Sequence, residues 1–258
     1  MIERVQAPAK LTLSLRVLGL RPDGFHELDA EMVAIDLADV LEIDPSGEGL
    51  TIVAGEGASD LEGGPSNLIT RALRAVDKTA HVRLVKAIPV GGGLGGGSTD
   101  AAAILRWARC SDLAVALSLG SDVPFCLLGG RARVTGVGEV VEPLADLEKT
   151  FTLLVPPVHV DTAAVYAAWD HLDDELRGGE DPQGNDLVEA TLRTAPQLEV
   201  WRETLARLSG RPPRLAGSGA TWFVEGALAD LGLAAGEVEV GGRVGTLIEA
   251  RTTRRHGS

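Results

Sequence analysis

PVGGGLGGGSTDAAA, residues 89–103, packs six glycines into seven positions and then runs through Ser98, Thr99 and Asp100 into alanines. The stretch before it, VRLVKAI (Val82–Ile88), is β-branched and apolar and predicts a strand. After it, Ala101, Ile104, Leu105 and Ala108 recur at i, i+3, i+4 and i+7, which predicts one apolar face of a helix. A strand, a glycine loop and a helix start together favour an anion. Glycine lets the backbone approach a ligand closely and take positive φ, and a helix N-terminus offers unpaired N–H donors with partial positive charge. A phosphorylated ligand is the expected guest. A flexible linker would not run from a β-rich segment straight into a helix.

The loop is not a P-loop, because no lysine stands before Ser98. A dinucleotide fingerprint does match as Gly91-x-Gly93-x-x-Gly96, with Asp112 at a suitable distance downstream. That acid should end a second strand, whereas Asp112 follows the helical run ILRWARCSD. A doubly wound dinucleotide fold, and the oxidoreductase it would imply, therefore fit less well.

At 258 residues the chain can bury a substantial core, in one large or two smaller domains, and 45% of it is apolar. A net charge of −13 argues against nucleic acid or a basic membrane-surface role. Any phosphate site must then rely on backbone donors and a few placed lysines. Cys110 and Cys126 do not frame a secreted fold and read as reduced core residues. No apolar run approaches the ~18 residues of a membrane span, and the first residues lack a signal-peptide core, so the expected setting is cytoplasmic. His81, His159, His171 and His256 are too dispersed for a metal site.

Along the chain, Leu11, Leu13, Leu15 and Val17 alternate as in a half-buried strand, and RPDGF (Arg21–Phe25) signals a turn. Glu31–Asp44 predicts a strand, a kink and a third strand, and residues 45–65 predict a short strand between glycine-rich loops. Helices are predicted over Asn67–Thr79, Ser111–Leu119, Asp161–Leu176 and Leu187–Leu208, with an acidic loop over Arg177–Asn185. GSDVPF (Gly120–Phe125) predicts a tight turn before an apolar strand, and residues 131–142 a strand pair. Thr152–Val160, Ala220–Glu225 and Val244–Arg251 predict strands, with a small helix near Leu228–Leu233. Strands come in groups rather than in regular βα alternation, which predicts an α+β chain in two parts. The expected division is 1–150, 151–251 and a frayed tail over 252–258.

Four separated motifs carry a resemblance. APAKLTLSLRVLGLRPDGFHEL (Ala7–Leu28), PVGGGLGGGSTDAAA, GSDVPF and AGSGAT (Ala216–Thr221) occur in the order found in the GHMP kinases, the galactokinase, homoserine, mevalonate and phosphomevalonate kinase superfamily. The R-P-D-G-[FY]-H turn, the G-x-D-V-P-F run and GVGE (Gly136–Glu139) resemble the branch whose substrate is a cytidine diphosphate sugar alcohol of the non-mevalonate isoprenoid route. The resemblance spans about Ala7 to Ala250.

It implies a two-domain α+β fold, the N-terminal domain binding ATP, the C-terminal one ferredoxin-like, and the active site in the cleft between. ATP would lie over Pro89, Gly91, Gly92, Gly93, Leu94, Gly95, Gly96, Gly97, Ser98 and Thr99, accompanied by Mg²⁺, with Ser98 a candidate metal contact. The residues themselves also allow Ser98 to be the N-cap of the Ala101–Ala108 helix. Asp122 matches the catalytic aspartate, although alone it reads as a solvated turn residue. Lys10, which alone would read as a lysine snorkelling from a strand end, would be its countercharge and would stabilise charge on the transferring phosphoryl group. Phe25, His26 and Tyr166 match the positions that hold the cytosine, the alternative for the aromatic pair being core packing. Thr12 lies in the same substrate set, together with Lys10 and Asp122. Asn185 and Asp186 match a helix start that caps or bridges domains, and Gly217, Ser218 and Gly219 form a second backbone nest. Lys86 reads as exposed.

Three departures stand out: Thr12 where the family usually has Asn, Phe25 where Tyr is commoner, and a short segment from Ala101 to Leu119. Other members, acting on homoserine or mevalonate, and a non-catalytic relative remain as alternatives. The expected partners are ATP and one small molecule, with no nucleic acid or membrane, in a monomer or weak homodimer.

Overall fold

A computed structural model describes residues 1–53, 64–177 and 184–256. Two long strands, β1 (Glu3–Leu20) and β2 (His26–Asp44), pair antiparallel across the Arg21–Phe25 turn. The first sheet adds β3 (Gly49–Val53), β4 (His81–Val85), β5 (Arg131–Gly136) and β6 (Val140–Pro143) in the order β3-β4-β2-β5-β6. β3 runs parallel to β4, with α1 (Leu68–Ala75) on the connection between them. Asn67 caps that helix, its side chain accepting from the Ile69 N–H.

Glu31–Asp44 is one strand rather than strand, kink and strand. On the edge away from β1, Leu28–Val33 pair with β5 and Val40–Asp44 with β4. The change of partner lies between. There Ala34 and Ile35 are both buried, which breaks the alternation and made the pattern look kinked.

Alternation in β1 is interrupted in the same way. Register shifts fall between Pro8 and Lys10 and between Thr12 and Ser14. A bulge turns the following residues over, so Leu11 and Leu13 join one apolar cluster while Leu15 and Val17 join another. The strand is buried on both sides, and Lys10 and Thr12 are buried with it.

On the helical side, α2 (Gly96–Trp107) packs on β1, β2, α1 and α4 (Val123–Leu128), with α3 (Leu113–Leu119) beside them. Ala101, Ala102 and Ala103 are all fully buried, so α2 is enclosed rather than apolar on one face. Alanine makes this possible, because its small side chain lets neighbouring elements close in on every side. The segment after Asp122 is helical, not a strand. Pro124 in its first turn is pre-set for a helix, and a short apolar run cannot be assigned by periodicity alone.

The second sheet has the order β10-β11-β7-β9-β8, built from β7 (Thr150–Val155), β8 (Arg214–Leu215), β9 (Trp222–Glu225), β10 (Gly236–Val240) and β11 (Arg243–Arg251). It carries α5 (Thr162–Asp170), α6 (Val188–Thr194) and α7 (Leu198–Ser209). The predicted helix Leu187–Leu208 is two helices. Pro196 lacks an N–H and pushes Ala195 out of helical geometry, to φ −136° and ψ 71°. Near Leu228–Leu233 there is only a 3₁₀ turn, Ala229–Leu231. The hairpin of β10 and β11 turns at Gly241 and Gly242.

Phe151, Leu153, Phe223 and Ala250 of the second sheet meet Leu11, Val33 and Ile35 of the first. The Phe151 and Phe223 rings pack edge-on, 5.7 Å apart, and burying each contributes roughly 1.5–3 kcal/mol. β1 and β2 thus lie between the helices and the second sheet. The tail is anchored rather than frayed. Thr253 N–H donates to the Ala34 carbonyl at 2.8 Å, and His256 N–H to Leu128 at 3.2 Å. It fills the gap on β2 between β4 and β5, where backbone groups lack a strand partner. Residues 257 and 258 lie outside the described residues, as does most of the predicted Arg177–Asn185 loop.

Candidate active site

A cleft of about 1200 Å³ is lined from both halves of the chain, by β1, the glycine loop, the start of α4 and α5. The glycine loop forms its floor. Gly93 has φ +75°, and a Cβ there would come within 2.4 Å of the Ala216 carbonyl and 2.5 Å of Gly219. Gly95, at φ +71°, is the residue preceding α2, and a Cβ on it would strike the Lys10 side chain at 2.7 Å. Only glycine permits both the backbone angle and the approach. The helix therefore starts at Gly96, and Ser98 lies inside its first turn rather than capping it. Pro89, Gly91, Gly92, Leu94, Gly97 and Ser98 line the cleft with them. Thr99 does not; its hydroxyl turns away and donates to the Pro8 carbonyl at 2.6 Å.

Lys10 is held over this loop. Its N–H donates to the Leu94 carbonyl at 3.0 Å. Its ammonium donates to Thr12 Oγ1 at 3.2 Å and pairs with Asp122 Oδ2 at 3.3 Å. Asp122 precedes α4 without capping it, so its carboxylate stays available to the cleft and is about one-third exposed. Gly217 closes the other side, 3.3 Å from the ammonium at its would-be Cβ. Asn185 fixes that turn by donating to the Leu215 and Gly217 carbonyls at 3.0 and 2.7 Å. Asp186 accepts from Arg16 at 2.7 Å and from the Val17 N–H at 3.0 Å, tying it to β1. Ser218 Oγ lies 2.8 Å from Thr162 Oγ1.

At the other end, His26 stacks on Tyr166 with ring centroids 4.8 Å apart and an interplanar angle of 25°. Burial, and then the Asp122 charge, push the Tyr166 hydroxyl above the ordinary phenol range, so it stays protonated. Phe25 lines the same end and is largely exposed, which removes the core-packing alternative for it. The turn carrying Phe25 and His26 is latched by Arg21, which bonds Glu139 at 3.0 Å. Glu139 in turn accepts from the Val137 N–H, so GVGE serves as the latch's anchor.

Lys86 is not exposed. It is buried beneath the loop, with its ammonium bonded to Asp39 and 3.2 Å from Asp100. Asp39 also accepts from the Ala87 and Ile88 N–H groups at 2.6 and 2.8 Å. Asp100 is pushed up to about 7, chiefly by burial, with Lys86 opposing and the Asp39 charge adding. Sequence reasoning missed Asp39 and Asp100. No local pattern pairs Lys86 with acids 47 and 14 positions away.

The sequence alternative of a dinucleotide fold fails on Asp112, whose side chain accepts from the Ala114 N–H and caps α3. Cys126 is buried and its thiol pushed up to about 12 by burial, so it is inert. Among the described residues no three His, Cys, Asp or Glu side chains gather as a metal group. Ser98 and Asp122 both line the cleft, and a hydroxyl and a carboxylate are oxygen donors of the kind Mg²⁺ takes.

The GHMP kinase N-terminal domain model matches residues 67–130, which include the glycine loop and Asp122. A 4-diphosphocytidyl-2-C-methyl-D-erythritol kinase of Cereibacter sphaeroides is 38% identical, covering 84% of this chain and 87% of its own. A crystal structure of 4-(cytidine 5'-diphospho)-2C-methyl-D-erythritol kinase superposes with a TM-score of 0.72 at 32% identity, over 95% of this chain and 99% of that one. Mevalonate kinase of Methanococcus jannaschii shares the fold, with a TM-score of 0.61 at 13% identity over 98% of each chain.

Proposed function

Starting from a chain that belongs to the 4-diphosphocytidyl-2-C-methyl-D-erythritol kinase family of GHMP kinases, we propose that Lys10, Asp122 and the glycine loop carry its phosphoryl transfer. The enzyme transfers a phosphoryl group from ATP to the 2-hydroxyl of 4-(cytidine 5'-diphospho)-2-C-methyl-D-erythritol, in the non-mevalonate route to isoprenoid precursors. The fold is the α+β GHMP kinase fold. We place its domain boundary near residue 150, between the strands of the first sheet and those of the second.

The triphosphate rests on the N–H groups of Gly91–Ser98 and the N-terminus of α2, where partial positive charge and free donors coincide. Asp122 takes the proton of the substrate's 2-hydroxyl as that oxygen attacks the γ-phosphorus. Lys10, paired with it at 3.3 Å, offsets the negative charge on the transferring group. Ser98 would hold Mg²⁺, which would supply further neutralisation of the triphosphate. Thr12 holds the ammonium in place, a task its short hydroxyl performs where a longer amide is usual. Phe25, His26 and Tyr166 receive the base. The reading involves no nucleic acid or membrane; it suits a cytoplasmic monomer or weak homodimer. Among the described residues no helix is long and apolar enough to cross a membrane.

The observation that carries the assignment is the Lys10–Asp122 pair facing the cleft beside the glycine loop. ADP release is expected only with the cytidine diphosphate substrate, not with homoserine or mevalonate. Asp122→Asn should lower kcat by roughly 10²–10⁴-fold with little change in KM for ATP. Full turnover by that variant would remove Asp122 from the chemistry.

A further inference from the structure

Asp170, the last residue of α5, takes no part in the transfer just described, yet its carboxylate Oδ1 lies 2.7 Å from His26 Nε2. A carboxylate only accepts hydrogen bonds, so Nε2 must be the protonated nitrogen. In the neutral ring Nδ1 is then a bare lone pair, and it has no hydrogen-bond partner among the described residues. The ring cannot turn to exchange the two nitrogens freely. Tyr166 stacks on it and Trp169 meets it edge-on, at 5.7 Å and 88°. Asp170 is steadied in turn: Arg177 donates to its backbone carbonyl while lying 5.0 Å over the Trp169 ring. The result is an oriented acceptor at the base-binding end of the cleft, which His26, Tyr166 and Asp170 all line.

We propose that Asp170 is a positioning residue that fixes the His26 tautomer, so that Nδ1 accepts from an exocyclic amine and selects cytidine over uridine diphosphate substrates. Placing the base at this end of the cleft rests on the kinase reading above. Cytosine carries an amine donor where uracil carries a carbonyl acceptor. An acceptor fixed opposite a second acceptor leaves both unpaired and repelling, and a site built around one polar partner rejects its isostere strongly. Without the carboxylate, the imidazole can place its proton on Nδ1 and greet the carbonyl instead.

Two measurements on the full chain test this. Long-range ¹H–¹⁵N spectra of ¹⁵N-histidine-labelled protein at about pH 8 should show His26 with a pyrrole-type Nε2 and a pyridine-type Nδ1, with the second tautomer appearing in Asp170→Asn. Steady-state kinetics should show the ratio of kcat/KM for the cytidine substrate to that for its uridine analogue falling about tenfold or more in Asp170→Asn, through KM for that substrate and not KM for ATP. A protonated Nδ1 in the active wild type would overturn the proposal without touching the kinase assignment, and needs no variant to be observed. An unchanged ratio in a variant with a mixed tautomer would overturn the selectivity. Turnover of neither nucleotide substrate by the wild type would remove the kinase reading and the selectivity with it.

Discussion

Lys86 shows how far a single residue can depart from its local pattern. Next to a glycine loop on an acidic chain it reads as a solvated lysine, yet its ammonium is buried and pairs with both Asp39 and Asp100. Neither partner is a neighbour in sequence: Asp39 lies 47 positions away and Asp100 lies 14. Deleting one member of a buried ionic cluster leaves the others without compensation. Lys86→Met should therefore lower the unfolding free energy by about 3–5 kcal/mol in urea titrations, and adding Asp100→Asn should recover part of it. A loss under about 1 kcal/mol would mean that water reaches the carboxylates. Lys10 was legible where Lys86 was not, because its motif named a partner, Asp122, even though the spacing did not.

At the scale of elements, the loop between β4 and α2 was the most legible part of the chain. Its six glycines signal close approach, and Gly91, Gly93 and Gly95 among them take positive φ, which other residues rarely tolerate. What the loop approaches was hidden. Gly93 presses against the Ala216–Gly219 turn from the distant C-terminal half, so its Cβ-less surface serves packing as well as ligand access. Gly93→Ala should raise KM for ATP at least tenfold and cost about 1–3 kcal/mol from overpacking; nucleotide titration and thermal melts would report the two separately. Wild-type KM in that variant would show that the turn yields. Two of the misread elements share one cause. α4 and the double helix α6–α7 were decided by Pro124 and Pro196, whose effect depends on position within a helix that periodicity alone does not locate.

Across the whole molecule, the two sheets meet through Phe151, Phe223, Leu11 and Ile35, and the C-terminal residues clamp the join from outside. Removing residues 252–258 frees the Ala34 and Leu128 carbonyls and uncovers β2 between its two partners. The melting temperature should then fall by several degrees, at ~2–4 °C per kcal/mol for a chain of this size. Scanning calorimetry would measure it, and a shift within about 1 °C would make the tail dispensable. The sequence by itself determined the glycine loop, the α+β class and the kinase superfamily, because glycine content, strand grouping and motif order are written along the chain. Only the tertiary structure decided that β1 is buried on both faces, that Lys86 has partners, that the tail docks and that Asp170 reaches His26. Each of those depends on which distant surfaces meet, and burial and hydrogen-bond geometry exist only once they have met.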